Sequence, residues 1–228
     1  MNHDSETERI LKRFRMQKMQ EYTFRLENYN CRILYDFNLK QAISPIEKIL
    51  KKCTKFLVLK SDLTFIVVNT SNEFVKRKMM GVTGYTWGKH VISIEINIGN
   101  PRWIYAIAGT VAHEFNHSAR FNYIKGDFTL EDTIAFEGLA QCFETKVTKK
   151  LPPWSKAITK DEAQKVWLDI QPRLKSKSSK LYRDLFFGSN KFQKWSGYTL
   201  SYIVVKKQLS NLDWNDAIKL NSKVLLGL

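Results

Sequence analysis

The residues of this sequence best suited to chemistry are His113-Glu114-Phe115-Asn116-His117. Two histidines four positions apart, with a glutamate directly after the first, make an H-E-x-x-H pattern. On a helix of about 3.6 residues per turn both imidazoles project from one face and can share a metal ion. Glu114 lies one position around from His113, so its carboxylate stands beside the metal rather than on it. There it can take a proton from a zinc-activated water during attack on a carbonyl carbon. Two of the chain's 4 histidines fall in this one motif.

A catalytic zinc commonly takes three protein ligands and keeps one position for water, and two His with one Glu is an established set. Glu137, 20 residues after His117, is the best-placed third ligand. The Gly126-Asp127 turn separates its helix from the motif helix, and two antiparallel helices would bring the three side chains together. Glu131 and Asp132 sit nearer the helix start, where carboxylates favour the dipole without any metal. Glu144, two turns beyond Glu137 on a similar face, is a fallback ligand or a group that orients a histidine, with a solvated carboxylate as the simpler reading.

These residues need elements to position them. From Trp103 onward the pattern is helical, with Ile104, Ile107, Val111 and Phe115 as an apolar stripe. Thr129-Leu130-Glu131-Asp132 resembles a capping box, and Phe136, Leu139, Ala140, Phe143 and Val147 give the next helix its buried stripe. Upstream, Leu63 to Val68 is β-branched and aromatic. Val91 to Ile98 alternates Ile92, Ile94, Ile96 and Ile98 with Ser93, Glu95 and Asn97, and Gly88-Lys89 can close a hairpin onto this strand. Apolar residues at helical spacing (Ile10, Phe14, Tyr22) predict a helix over about 4–28. Ser44-Pro45-Ile46-Glu47 predicts an N-cap, a Pro at the first helical position and a helix to about Lys55. After the Pro152-Pro153 break, Thr159 to Glu162 carries a second capping pattern. Further helices are expected near 181–187, 198–209 and 213–220. The fold class is therefore α+β, with a small β-sheet in the N-terminal half followed by a mainly helical half. A single domain over 1–228 is expected, helical over 1–60, with the sheet, motif helices and C-terminal helices over 61–228.

Composition narrows the alternatives. The formal net charge is +15, which could attract nucleic acid, an anionic membrane surface or an acidic substrate. Of the 37 basic residues 27 are Lys and 10 Arg, spread along the chain, whereas base and phosphate recognition favours Arg. Specific nucleic-acid binding is not expected. Cys31, Cys53 and Cys142 are an odd set with no C-x-x-C spacing, and read as reduced thiols. No apolar stretch has the length of a transmembrane span, and the charged first residues do not resemble a secretory signal, so a cytoplasmic protein is the expectation.

The runs VAHEFNHSARFNY, TIAFEGLAQCFE and SGYTLSYIVVKKQL together resemble the bacterial family of predicted zinc-dependent proteases known only as a domain of unknown function, over about residues 60 to 220. The resemblance implies a gluzincin-like, hence zincin-like, metallopeptidase. In it the two motif histidines and the glutamate of an E-G-L-A segment bind zinc, which maps onto His113, His117 and Glu137, with Glu114 as catalytic base. Gly197-Tyr198 also resembles a family segment, and a tyrosine near a zinc site can donate to the developing oxyanion. Tyr198 is the candidate for that role, with His90 and Arg120 as weaker ones, and a core aromatic as its alternative. In zinc peptidases an exposed strand edge near the metal pairs with an extended peptide, and Val91 to Ile98 either does so or is a strand paired on both edges. The expected activity is hydrolysis of peptide bonds in a peptide or protein substrate, with Zn2+ as cofactor. A zinc-binding but non-proteolytic protein, and a basic nucleic-acid-binding or adaptor protein with an incidental motif, are the rival readings.

Overall fold

Apolar alternation builds one five-stranded sheet in the first of two units, Met1–Tyr123; the second, Ile124–Leu228, is helical. The computed structural model describes residues 3–14, 19–124, 128–210 and 212–228. The expected Gly126-Asp127 turn and residues 15–18 of the expected first helix fall outside these.

The first unit runs α1 (His3–Arg13), β1 (Gln20–Leu26), β2 (Tyr29–Tyr35), a 3-10 turn over Phe37–Ala42, α2 (Ile43–Cys53), β3 (Leu63–Asn69), α3 (Glu73–Lys78), β4 (Val82–Thr86), β5 (Val91–Ile96) and α4 (Trp103–Arg120). The strand order is β1-β2-β3-β5-β4, parallel from β2 through β3 to β5 and antiparallel at both outer pairs. A near-continuous apolar run is the mark of a strand covered on both faces, and β3 is such a run, buried from Leu63 to Val68 with Thr64 its one polar member. On one face Ile66, Val68 and Val91 pack with Ile10 of α1. Ile92, Ile94 and Ile96 point to the other face, where α4 packs on β4 and β5 and against α2. In α4 the expected stripe is buried at Ile107, Val111 and Phe115, while Ile104 is exposed.

Two expectations need correction, and one open alternative is decided. Residues 1–60 are not simply helical, because β1 and β2 form a hairpin there. Tyr22, Phe24 and Leu26 alternate with Glu21, Thr23 and Arg25 at period two, and that local signal prevails over the wider helical spacing that included Tyr22. Ser44 does not cap α2. The chain enters α2 straight from the 3-10 turn with Ala42 at the N-cap, and Glu47 instead accepts from the Tyr22 hydroxyl at 2.8 Å and pairs with Lys51. Finally, β5 is paired on both sides, with β3 and with β4. The edge nearest the motif helix therefore belongs to β4.

The second unit runs α5 (Leu130–Thr148), a 3-10 turn over Pro153–Lys156, α6 (Lys160–Ile170), a 3-10 turn over Gln171–Arg173, α7 (Ser179–Phe187), α8 (Ser196–Gln208), α9 (Trp214–Ala217) and α10 (Ser222–Leu226). Both expected capping boxes form. The Thr129 hydroxyl accepts from the Asp132 amide while the Asp132 carboxylate accepts from the Thr129 amide, and Thr159 with Glu162 does the same. Carbonyls of Ser176 and Leu174 take the next two amide donors of α5, leaving its first turn satisfied. The α5 stripe from Phe136 to Val147 is buried as expected. Helices α5 and α8 pack together, and their closeness depends on Gly138, where a Cβ would lie 2.3 Å from the Ser201 carbonyl oxygen.

Candidate metal centre

The motif falls within α4, so its residues share one helical geometry. His113 and His117, four apart, hold their rings edge to face with centroids 4.7 Å apart and planes at 87°. His117 is buried and His113 half-buried. One position around the helix, Glu114 and Ser118 form a second row, and both are anchored to the edge of the sheet. The Thr86 hydroxyl donates to Glu114 Oε2 at 2.7 Å and lies 3.0 Å from the Glu114 carbonyl oxygen. The Ser118 hydroxyl donates to the Lys89 carbonyl in the turn between β4 and β5 at 2.9 Å. These contacts fix the rotation of α4 about its axis, and with it the direction of the two imidazoles.

Glu114 is 7% exposed, far from the solvated state expected of a surface glutamate. It lies against the backbone of β4 because Gly84 has no side chain. A Cβ there would stand 2.5 Å from Glu114 Cγ and 2.9 Å from its carboxylate carbon and Oε1. Thr86, itself 7% exposed, follows on the same face of the strand. Sequence reasoning missed both residues. The signal was the inward row Val82, Gly84 and Thr86 just upstream of the motif helix, but nothing in a linear sequence connects position 86 with a partner 28 residues away.

In the second unit Glu137 lies on α5, half-buried. Its turn is tied to α8 by Gln141, whose amide donates to the Glu137 carbonyl at 3.1 Å and to the Tyr198 carbonyl at 3.0 Å. The remaining oxygen of this buried amide accepts from the Ser155 hydroxyl. Tyr198 presents its ring edge to face against Phe186, centroids 4.9 Å apart, and against Phe187. Glu144 is buried rather than solvated, at 6% exposure. Of the weaker candidates, His90 has Nδ1 3.3 Å from the Asp62 carbonyl, and Arg120 is fully buried at the last residue of α4.

Among the described residues, one group of His, Cys, Asp and Glu side chains could hold a metal ion: His113, His117 and Glu137. Two imidazoles and one carboxylate are a donor set that suits zinc and leaves a coordination position open. The three cysteines take no part, being buried free thiols whose protonated form burial favours; that of Cys142 is pushed up to about 12. Among the described residues, no helix is long and apolar enough to cross a membrane.

A family model described as "Predicted Zn-dependent protease (DUF2268)" matches residues 17–226. Over 112 residues the chain is 29% identical to the uncharacterized protein YjaZ of Bacillus subtilis (strain 168), covering 46% of this chain and 43% of that one. It is 26% identical over 138 residues to the uncharacterized protein YjfC of the same organism, covering 53% and 46% respectively. The chain thus spans less than half the length of the curated relatives it matches. Among solved structures, an aminopeptidase N family protein from Idiomarina loihiensis superposes with a TM-score of 0.50 at 10% identity, over 91% of this chain and 40% of that chain. At that identity the likeness is one of fold.

Proposed function

The chain belongs to the DUF2268 family of predicted Zn-dependent proteases, and from that premise we propose that it is a zinc-dependent peptidase. His113, His117 and Glu137 hold the ion and Glu114 is the general base. The observation that carries this reading is the state of Glu114: a carboxylate buried against the sheet, one position around from two imidazoles on one helical face, with a hydroxyl donor on Oε2. A site that only stores zinc for structure has no use for such a carboxylate.

A bound zinc ion supplies Lewis acidity, polarising the substrate carbonyl and making water a stronger acid. The protein's own groups do the rest. Glu114 takes the proton that the attacking water loses and returns it to the departing amine, a role worth about 10² to 10⁴ in rate. The Tyr198 hydroxyl donates to the oxygen on which negative charge develops. The free edge of β4 offers backbone donors and acceptors to an extended peptide, in place of the buried β5. The substrate is a peptide or protein chain.

Metal analysis of the purified wild type beside Glu137→Ala and Glu114→Gln, with cleavage of a broad peptide library, tests the assignment. The wild type is expected to carry near-stoichiometric zinc, Glu137→Ala to lose it, and Glu114→Gln to keep it while cleavage stops. A wild type that holds no zinc and takes none when supplied would overturn the reading.

A further inference from the structure

Two residues of the edge strand depart from what a strand needs for its own sake. Gly84 sits in the interior of β4, where glycine weakens a strand and marks close approach of another group. Thr86 buries a hydroxyl at the end of the same strand. Being two apart, the two residues share one face of β4, and the strand pairs Gly84 with Ile94 and Thr86 with Ile92 in a row that is otherwise aliphatic. A valine at 86 would fill the same space without a polar atom. Both departures converge on one group, the Glu114 side chain. Gly84 leaves the volume that its Cγ and carboxylate occupy, and Thr86 donates to its Oε2 at 2.7 Å while standing 3.0 Å from its carbonyl oxygen.

A hydroxyl has one proton, and the shorter of these contacts is to the carboxylate, where charge strengthens the hydrogen bond. One side chain of β4 thus holds the carboxylate of Glu114 by its single donor while its oxygen stands 3.0 Å from the main-chain carbonyl of the same residue. A free glutamate has three torsions to order, and a base that wanders from its productive geometry loses rate steeply. We propose that Gly84 and Thr86 are positioning residues that hold the Glu114 carboxylate in one rotamer, set against the edge strand. The proposal rests on the reading of Glu114 as general base, and it makes β4 the element that aligns the base as well as the sheet edge beside it.

The test uses the full zinc-loaded chain with Thr86→Val, Thr86→Ser and Gly84→Ala, measured for zinc content, thermal unfolding, and kcat and KM on a peptide that the wild type cleaves. Thr86→Val and Gly84→Ala are each expected to lower kcat by about 10- to 100-fold with KM and zinc content nearly unchanged. Thr86→Ser is expected to restore most of the turnover lost in Thr86→Val. Unfolding supplies a readout that needs no cleavage. The loss of Tm in the double variant Thr86→Val with Glu114→Leu should be smaller than the sum of the single losses, because neither group then needs the other. Unchanged kcat in both Thr86→Val and Gly84→Ala, loss of zinc in either, or additive Tm losses would each overturn the proposal. Should Thr86→Val fail to fold, Gly84→Ala decides by the same criteria. If the wild type cleaves no peptide, the peptidase reading falls separately, and the additivity of the Tm losses still decides the cradle.

Discussion

A tyrosine in a protein does two separable things, since its ring packs and its hydroxyl donates. The Tyr198 ring meets Phe186 edge to face, and that contact does not need the hydroxyl. Tyr198→Phe therefore separates the structural from the catalytic use of the residue. With Tyr198 as oxyanion donor, turnover should fall by about 10²- to 10³-fold with zinc content unchanged; steady-state kinetics with unaltered turnover would remove Tyr198 from the mechanism. At this scale the sequence was informative wherever partners are neighbours on one helix. His113, Glu114 and His117 could be read directly because their geometry follows from the helical repeat. Gly84 and Thr86 could not, because what they do depends on a contact made only when β4 folds against α4. Glu144 shows the converse: a carboxylate on a helix looks solvated until the packing of its helix is known.

Elements pack as closely as their smallest residues allow, and Gly138 is that residue for α5 against α8. Alanine is the better helix former by about 1 kcal/mol, so an exposed glycine at this position would gain from Gly138→Ala. Here the added Cβ would lie 2.3 Å from the Ser201 carbonyl oxygen and 2.5 Å from Val205 Cγ2, and a main-chain oxygen cannot turn away as a side chain can. Overpacking of this kind costs about 1–3 kcal/mol and should outweigh the helical gain, lowering Tm by a few degrees in a chain of this size. A thermal melt showing equal or higher Tm would mean that the helices separate without penalty. The E-G-L-A segment thus sets an absent side chain at 138, needed for the close packing of α5 on α8, directly beside Glu137, the proposed third ligand. The elements themselves were legible where start and stop signals are local, as at the two capping boxes and the β4–β5 hairpin. They were not where two periodicities compete, as at Tyr22, or where the preceding turn decides the cap, as at Ser44.

The charge of the whole molecule sets its response to acid. At neutral pH 37 basic side chains face 22 acidic ones, and several of the latter are stabilised in the charged form. The Lys51 ammonium holds Glu47 low, the Arg77 guanidinium holds Glu73 low, and backbone amides at helix starts do the same for Glu162 and Asp213. At Asp132 burial works the other way, but hydrogen bonds from Ser222 and Thr129 outweigh it. A carboxylate whose folded pKa lies below its unfolded value contributes stability that is complete above the unfolded value, about 3.9 for Asp and 4.3 for Glu. It is lost as pH falls through the folded one. Each exposed pair adds little alone, yet every proton taken up also removes a negative charge from a chain already at +15. Both effects have the same sign. Tm should therefore decline as pH is lowered from 7, most steeply below about 4.5, as these groups and the remaining carboxylates titrate. If repulsion among the uncompensated Lys and Arg is the larger part, raising sodium chloride from low concentration toward 0.1 M and above, where the Debye length shrinks to about 10 Å or less, should recover much of the loss at pH 3–4. Melts across pH at two salt levels check this. A Tm unaffected by chloride in acid would assign the decline to the lost hydrogen bonds and ion pairs alone, and a Tm constant from pH 7 to 3 would show that neither effect governs stability.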